Sequence, residues 1–285
     1  MARGSGGAGG SGSKRESKAG AFFMATLVMW GVSVFFEILF NKRSELTPIL
    51  LGFLFFQSAN VVVRKFVSRD PLSVNTCISL LHSSITSALV ILILLNQWMR
   101  SGVNEMFQHS QLVEVSWPLA YQALCFSCGY FAYDQLDMLL YRLYSGLIPS
   151  ILVHHLVLLV CFTLALYRKV TINYLILTLI CEAITQYFIL WVLKYMTMAK
   201  PHGKSVKAEW VLNWLTFVFA RLLSHVLITV KLVKDAPKFD KGVELPLALF
   251  GMAGMNLLNI FLGIDLFKAF RRELKPQKDY NSHHE

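Results

Sequence analysis

Charge is what this sequence has least of. Asp, Glu, Lys and Arg make up 15% of its 285 residues, against about 25% in soluble domains. Too little polar surface remains to enclose one or two water-soluble cores. Cysteine is sparse, with five residues. All five (Cys77, Cys125, Cys128, Cys161 and Cys181) lie inside apolar runs rather than loops, which excludes an extracellular disulfide framework. Cys125-x-x-Cys128 would present one side of a helix and reads as a pair of small packing residues. No Asn-x-Ser/Thr sequon, no His-Glu-x-x-His pattern and no internal repeat occurs. The last absence argues against an inverted-repeat transporter.

What is present is apolar: 55% of the residues, with a mean hydropathy of +0.52. Disorder and collagen-like structure are excluded. The net charge of +10 comes from basic residues set between apolar runs and in the two tails. There is no basic domain interleaved with aromatics, so the charge points to anionic lipid headgroups rather than nucleic acid.

Residues 1–20 are Gly/Ser-rich and basic, and read as a flexible cytosolic arm. Eight apolar segments follow at 21–40, 48–67, 74–95, 117–140, 148–167, 172–195, 210–232 and 244–269. Each is near the roughly 20 residues that cross a bilayer. The first has basic residues ahead of it, as a signal peptide would. It is long, however, and no small-x-small cleavage site follows before Asn41-Lys42-Arg43, so it reads as a retained anchor. The second is weakened by Gln57, Asn60, Arg64 and Lys65. With eight spans, one face holds 17 of the 27 Lys and Arg and the other holds 9, with Arg221 inside a span. The positive-inside rule then puts both termini in the cytosol. The long 96–116 connection falls outside, and Trp98 and Trp117 suit the membrane interface.

Ionisable groups inside spans cost at least a few kcal/mol each and mark functional or structural pairing. The chain has His82, Asp134, Asp137, His154, His155, Glu182, Arg221 and His225, joined by Gln186, Asn213, Asn256 and Asn259. Tyr130, Asp134, Asp137 and Tyr141 share one helical face. Glu182 and Gln186, and Arg221 and His225, are each four apart. By depth the set occupies the midplane and the cytosolic leaflet, as for a cavity opened to that side. Such pairs also simply join helices, at roughly 0.6–2 kcal/mol each. An ion pair of Arg221 with a carboxylate fits that structural role. Adjacent His154 and His155 point about 100° apart, so one ring can face a cavity while the other orients it. No metal-ligand spacing accompanies them, and no metal or other cofactor is expected.

Phe126-Ser127-Cys128-Gly129-Tyr130-Phe131 runs into Asp134-x-x-Asp137, and Leu152-Val153-His154-His155 follows. Asn75 and His82-Ser83 lie upstream; Glu182, Asn213 and Phe219-Ala220-Arg221 lie downstream. In these stretches the chain resembles the TLC-domain family over about residues 65–272. Within it the chain is most similar to the plasma-membrane subgroup, TLC-domain-containing proteins one and two and their invertebrate relatives.

The resemblance implies an all-α polytopic transmembrane bundle of about eight spans with a six-helix core. Residues 21–64 would be N-terminal transmembrane helices, residues 65–272 the TLC domain, and residues 273–285 a cytosolic tail. It further implies a regulator of phospholipid acyl composition and fluidity at the plasma membrane, limiting incorporation of polyunsaturated chains. His82, Asp134, Asp137, His154, His155, Glu182 and Arg221 would bind or sense a lipid headgroup or thioester. Membrane phospholipids or acyl-CoA would be the partners.

Ceramide synthases of the same family imply an alternative, acyl-CoA-dependent acyl transfer with His154 or His155 as base or nucleophile. Their following helix carries His-Asp-x-x-Asp, where this chain reads Cys181-Glu182-Ala183-Ile184-Thr185. Tyr133 also stands before Asp134 where relatives often have His. Catalysis is therefore not the favoured reading. A trafficking receptor or channel modulator, and residence in the endoplasmic reticulum, are the remaining alternatives.

Overall fold

The computed structural model describes residues 9–143, 148–180, 211, 214–215, 217–240 and 242–274. Among these the chain is helical and no strand occurs. The helices are α1 (Gly9–Leu39), α2 (Thr47–Phe66), α3 (Pro71–Met106), α4 (His109–Val113), α5 (Ala120–Tyr141), α6 (Ile148–Arg168), α7 (172–180), α8 (Ser224–Asp235) and α9 (Glu244–Leu274). A π-helical stretch, Phe217–Leu223, leads into α8.

Among the described residues, five helical stretches are long and apolar enough to cross a membrane: Lys18–Leu39, Ser44–Phe66, Pro71–Met106, Ile151–Arg168 and Glu244–Ile264. The doubtful second segment is among them. The 117–140 segment is helical as α5 but is not one of the five; its Tyr130, Tyr133, Asp134, Gln135 and Asp137 are buried against protein. Parts of the 172–195 and 210–232 segments lie outside the described residues.

Two expectations need correction. The arm read as flexible to residue 20 is helical from Gly9. Once the apolar stretch beyond it forms a helix, further residues add by propagation without a new nucleus. The 96–116 connection is mostly helical too. Helix α3 continues to Met106 across a kink at Gly102, whose φ of 73° only glycine adopts freely, and α4 follows. Trp98 is half-exposed, but Trp117 is 1% exposed and packs inside instead of sitting at an interface.

The chain divides into two compact units. The first comprises residues up to His82 together with Leu124–Arg168. Here α2 and α5 cross almost backbone to backbone. A Cβ on Gly129 would lie 2.7 Å from the Phe53 nitrogen and closer still to the Ile49 carbonyl. One on Gly52 would lie 2.8 Å from the Phe126 carbonyl. Small residues permit this approach, which is how helices gain contact in lipid. Helix α1 lies on α6, where the Trp30 indole donates to Thr163 Oγ1 at 2.7 Å. Cys128 lies 3.6 Å from the same hydroxyl, and both Cys125 and Cys128 are buried as packing residues. Phe23 of α1 joins Met138, Leu143 and Leu152 in an apolar cluster. The α1–α2 turn is held by Arg43, which donates to the Tyr167 carbonyl at 2.7 Å. Asp70 caps α3, accepting from the Ser73 N–H at 2.8 Å and hydroxyl at 2.7 Å, with Pro71 in the first helical position. These bonds hold the Asp70 carboxyl below its ordinary pKa.

The second unit comprises Ser83–Ala123 and the residues from Lys169 on. Asn173, at the start of α7, clamps the 111–117 segment. Its amide donates to the carbonyls of Gln111 (2.5 Å) and Val115 (2.6 Å), and its oxygen accepts from the Trp117 N–H at 3.1 Å. At the end of α8, buried Asp235 accepts from Tyr174 at 3.0 Å, Lys238 at 3.1 Å and Lys231, with His109 Nδ1 at 3.8 Å. Helices α8 and α9 pack together, and Asn256 donates to Thr229 at 2.8 Å.

Candidate functional site

The first unit gathers most of the ionisable residues found inside apolar segments. Asp134 and Asp137 are three apart on α5, so both carboxylates project from one face, and each is 5% exposed. That face meets α2 and the start of α3. Asp137 accepts from Asn60 at 3.1 Å, from Arg64 Nη2 at 3.2 Å and from Asn75 at 3.3 Å. The Asn75 amide also donates to Asp134 at 2.6 Å and so ties the two carboxylates together. On its other side Asp134 meets His155 Nε2 of α6 at 3.4 Å.

Arg64 is the cation of the set. Its Nε donates to Asn60 at 2.7 Å, and its guanidinium lies 3.9 Å above the Tyr141 ring. Asn60 reaches in a further direction, donating to the Tyr133 hydroxyl at 2.5 Å. Carboxylates can be buried here because each is met by charged or amide donors. An unpaired charge at this depth would cost several kcal/mol.

A second layer lies two turns deeper. His82 follows Asn75 by seven residues, or about 10 Å along α3. Its imidazole lies flat on Tyr130, with centroids 3.7 Å apart and planes 7° apart, and its Nε2 is 3.2 Å from Ser127 Oγ. Phe56 and Phe131 close the layer edge-on. His154 is half-buried, its ring 5.5 Å from that of His155.

The structure therefore brings together Asp134, Asp137 and His155, with His82 in the next layer and His154 beside His155. Arg221 and His225 belong to the second unit, Arg221 on the π-helical stretch and His225 buried on α8. Glu182, Gln186 and Asn213 lie outside the described residues. Sequence reasoning missed Asn60, Arg64 and Tyr133 as members of the cluster. The signal was available: Asn60 and Arg64 stand four apart in an otherwise apolar helix, the spacing of one helical face. Among the described residues no group of three or more His, Cys, Asp or Glu is placed to hold a metal ion.

An all-helical membrane protein with a hydrogen-bonded polar cluster between its spans is the class that this geometry defines. A family model described as the TLC domain matches residues 73–268, and the chain belongs to that family. Comparison with curated proteins and with solved structures gives no match. The matched region takes in Asn75, His82, Asp134, Asp137 and His155, whereas Asn60 and Arg64 precede it. Part of the cluster's hydrogen bonding is thus supplied by the helices ahead of the TLC domain.

Proposed function

We propose that the protein regulates the acyl composition and fluidity of membrane phospholipids, limiting incorporation of polyunsaturated chains, and that it does so at the plasma membrane. The TLC domain supports a lipid-related role in a multi-pass membrane protein. Resemblance to the plasma-membrane subgroup, through Ser127-x-Gly129-Tyr130-Phe131-x-x-Asp134-x-x-Asp137, supports the finer reading. One observation carries the preference for binding or sensing over catalysis. Asp137 already accepts three hydrogen bonds, and Asp134 is engaged by Asn75 and His155. A network so satisfied is rigid and suits recognition.

The His155–Asp134 pair is what an acyl-transfer reading has in its favour, since a carboxylate beside an imidazole is how a general base is oriented. Acyl-CoA turnover by the purified protein separates the two, and none is expected. The main test is phospholipid profiling of cells with and without the protein under a polyunsaturated fatty acid load. Loss of the protein should raise polyunsaturated chains in phosphatidylethanolamine and loosen packing reported by an order-sensitive dye. An unchanged profile and unchanged order would refute the reading.

A further inference from the structure

The first unit carries a surface feature that neither the buried cluster nor the family match accounts for. Where α2 ends, Lys65 and Arg69 are exposed, and Arg142 is exposed directly after Tyr141 at the end of α5. None of the three meets a carboxylate among the described residues. Asp70, the acid between them in sequence, is occupied by Ser73. Beside these cations stand exposed apolar groups: Phe66 at 73%, Val67 at 69% and Leu140 at 61%.

Arg64 connects this rim to the interior. A guanidinium has five N–H donors in a planar fork. Only Nε and one Nη2 hydrogen are used, on Asn60 and Asp137, and the side chain is 21% exposed. Its remaining N–H groups have no acceptor among the described residues.

We propose that the α2–α3 turn and the end of α5 form a binding site for the phosphate of an anionic phospholipid headgroup, with Arg64 shared between that phosphate and Asp137. The inference rests on the lipid reading above and names the ligand class of that same region. Lys65, Arg69 and Arg142 supply charge, the spare donors of Arg64 suit two phosphate oxygens, and Phe66, Val67 and Leu140 lie against acyl chains. The occupant is a bilayer lipid because a soluble phosphate has no use for the apolar flank. Occupancy would draw Arg64 away from Asp137, and Asn75 carries the change on to Asp134 and His155.

The test uses the full chain in neutral detergent, titrated with fluorescent phosphatidylserine, fluorescent phosphatidylcholine and inorganic phosphate. Phosphatidylserine should bind at least about tenfold more tightly than either competitor. A surface cation is worth roughly a fivefold change in affinity, so the triple variant Lys65→Gln, Arg69→Gln, Arg142→Gln should lose on the order of 100-fold at an unchanged unfolding midpoint. Asp137→Asn removes the competitor for Arg64 and should tighten phosphatidylserine binding several-fold. Arg64→Lys, which keeps the charge without the fork, should weaken it and serves if Asp137→Asn fails to fold. Equal binding of the two lipids, free phosphate binding as well as lipid, or a triple variant that binds normally would each overturn the site. The cellular lipid profile reports on the acyl-composition reading separately. Intact headgroup selectivity with an unchanged profile would refute that reading and leave this site standing.

Discussion

Replacing Asp137 with Asn keeps the shape of the side chain and removes its charge. The consequence can be worked from its three donors. Asn60 donates to one carboxylate oxygen and Asn75 to the other, so an amide keeps an acceptor for only one of them, and Arg64, with its side chain 21% exposed, loses its carboxylate partner. Hydrogen bonds to charged groups contribute about 1.5–3 kcal/mol, and breaking a fully buried ion pair costs about 3–5 kcal/mol. Arg64 recovers part of its hydration at the exposed edge, so about 2–3 kcal/mol is expected for Asp137→Asn. Unfolding in mixed micelles by increasing fractions of denaturing detergent measures it. The pairing itself is isolated by a double-mutant cycle with Arg64→Gln, where a coupling of about 1–2 kcal/mol is expected. Additive single effects, or Asp137→Asn as stable as the parent, would show that the pair does not hold α2 to α5.

Other outcomes follow from the same geometry. Gly129→Leu should prevent the α2–α5 crossing outright, seen as retention and degradation in cells, whereas Gly31→Leu, with open space around it, should be delivered normally. His155→Ala removes a buried partner of Asp134 and should lower the unfolding midpoint, while half-buried His154→Ala should fold normally; if the pair serves the lipid function, His154→Ala loses the lipid phenotype at normal surface abundance. Burial alone would raise the Asp235 carboxyl, but bonds from Lys231, Lys238 and Tyr174 outweigh it and hold the group at about 2, against 3.8 for a free carboxyl. A carboxyl lowered on folding stabilises fully above its unfolded value and progressively less as pH falls through the folded one. Unfolding midpoints should therefore drop between pH 4 and 2, and Asp235→Asn should flatten that drop.

Hydropathy and charge placement, by themselves, determined that this is a helical membrane protein, and the order of its apolar segments corresponds to the order of the helices described. That legibility has a simple cause: a backbone in lipid must satisfy its hydrogen bonds within each segment, so every span declares itself locally. The stripe Tyr130, Asp134, Asp137, Tyr141 was legible for the same reason, since helical periodicity is a local property. What faces a stripe is not local. Asn60 and Arg64 looked like defects in a doubtful span until the Gly52–Gly129 crossing set them against Asp137. Trp117 carried the composition of an interface residue, yet the Asn173 clamp draws its segment into the second unit's interior. Asn75 could be placed on its helix from sequence, but its single amide bridging two carboxylates depends on where two helices meet. Partners 56 or more residues apart along the chain are chosen by packing, and only the tertiary structure decided them.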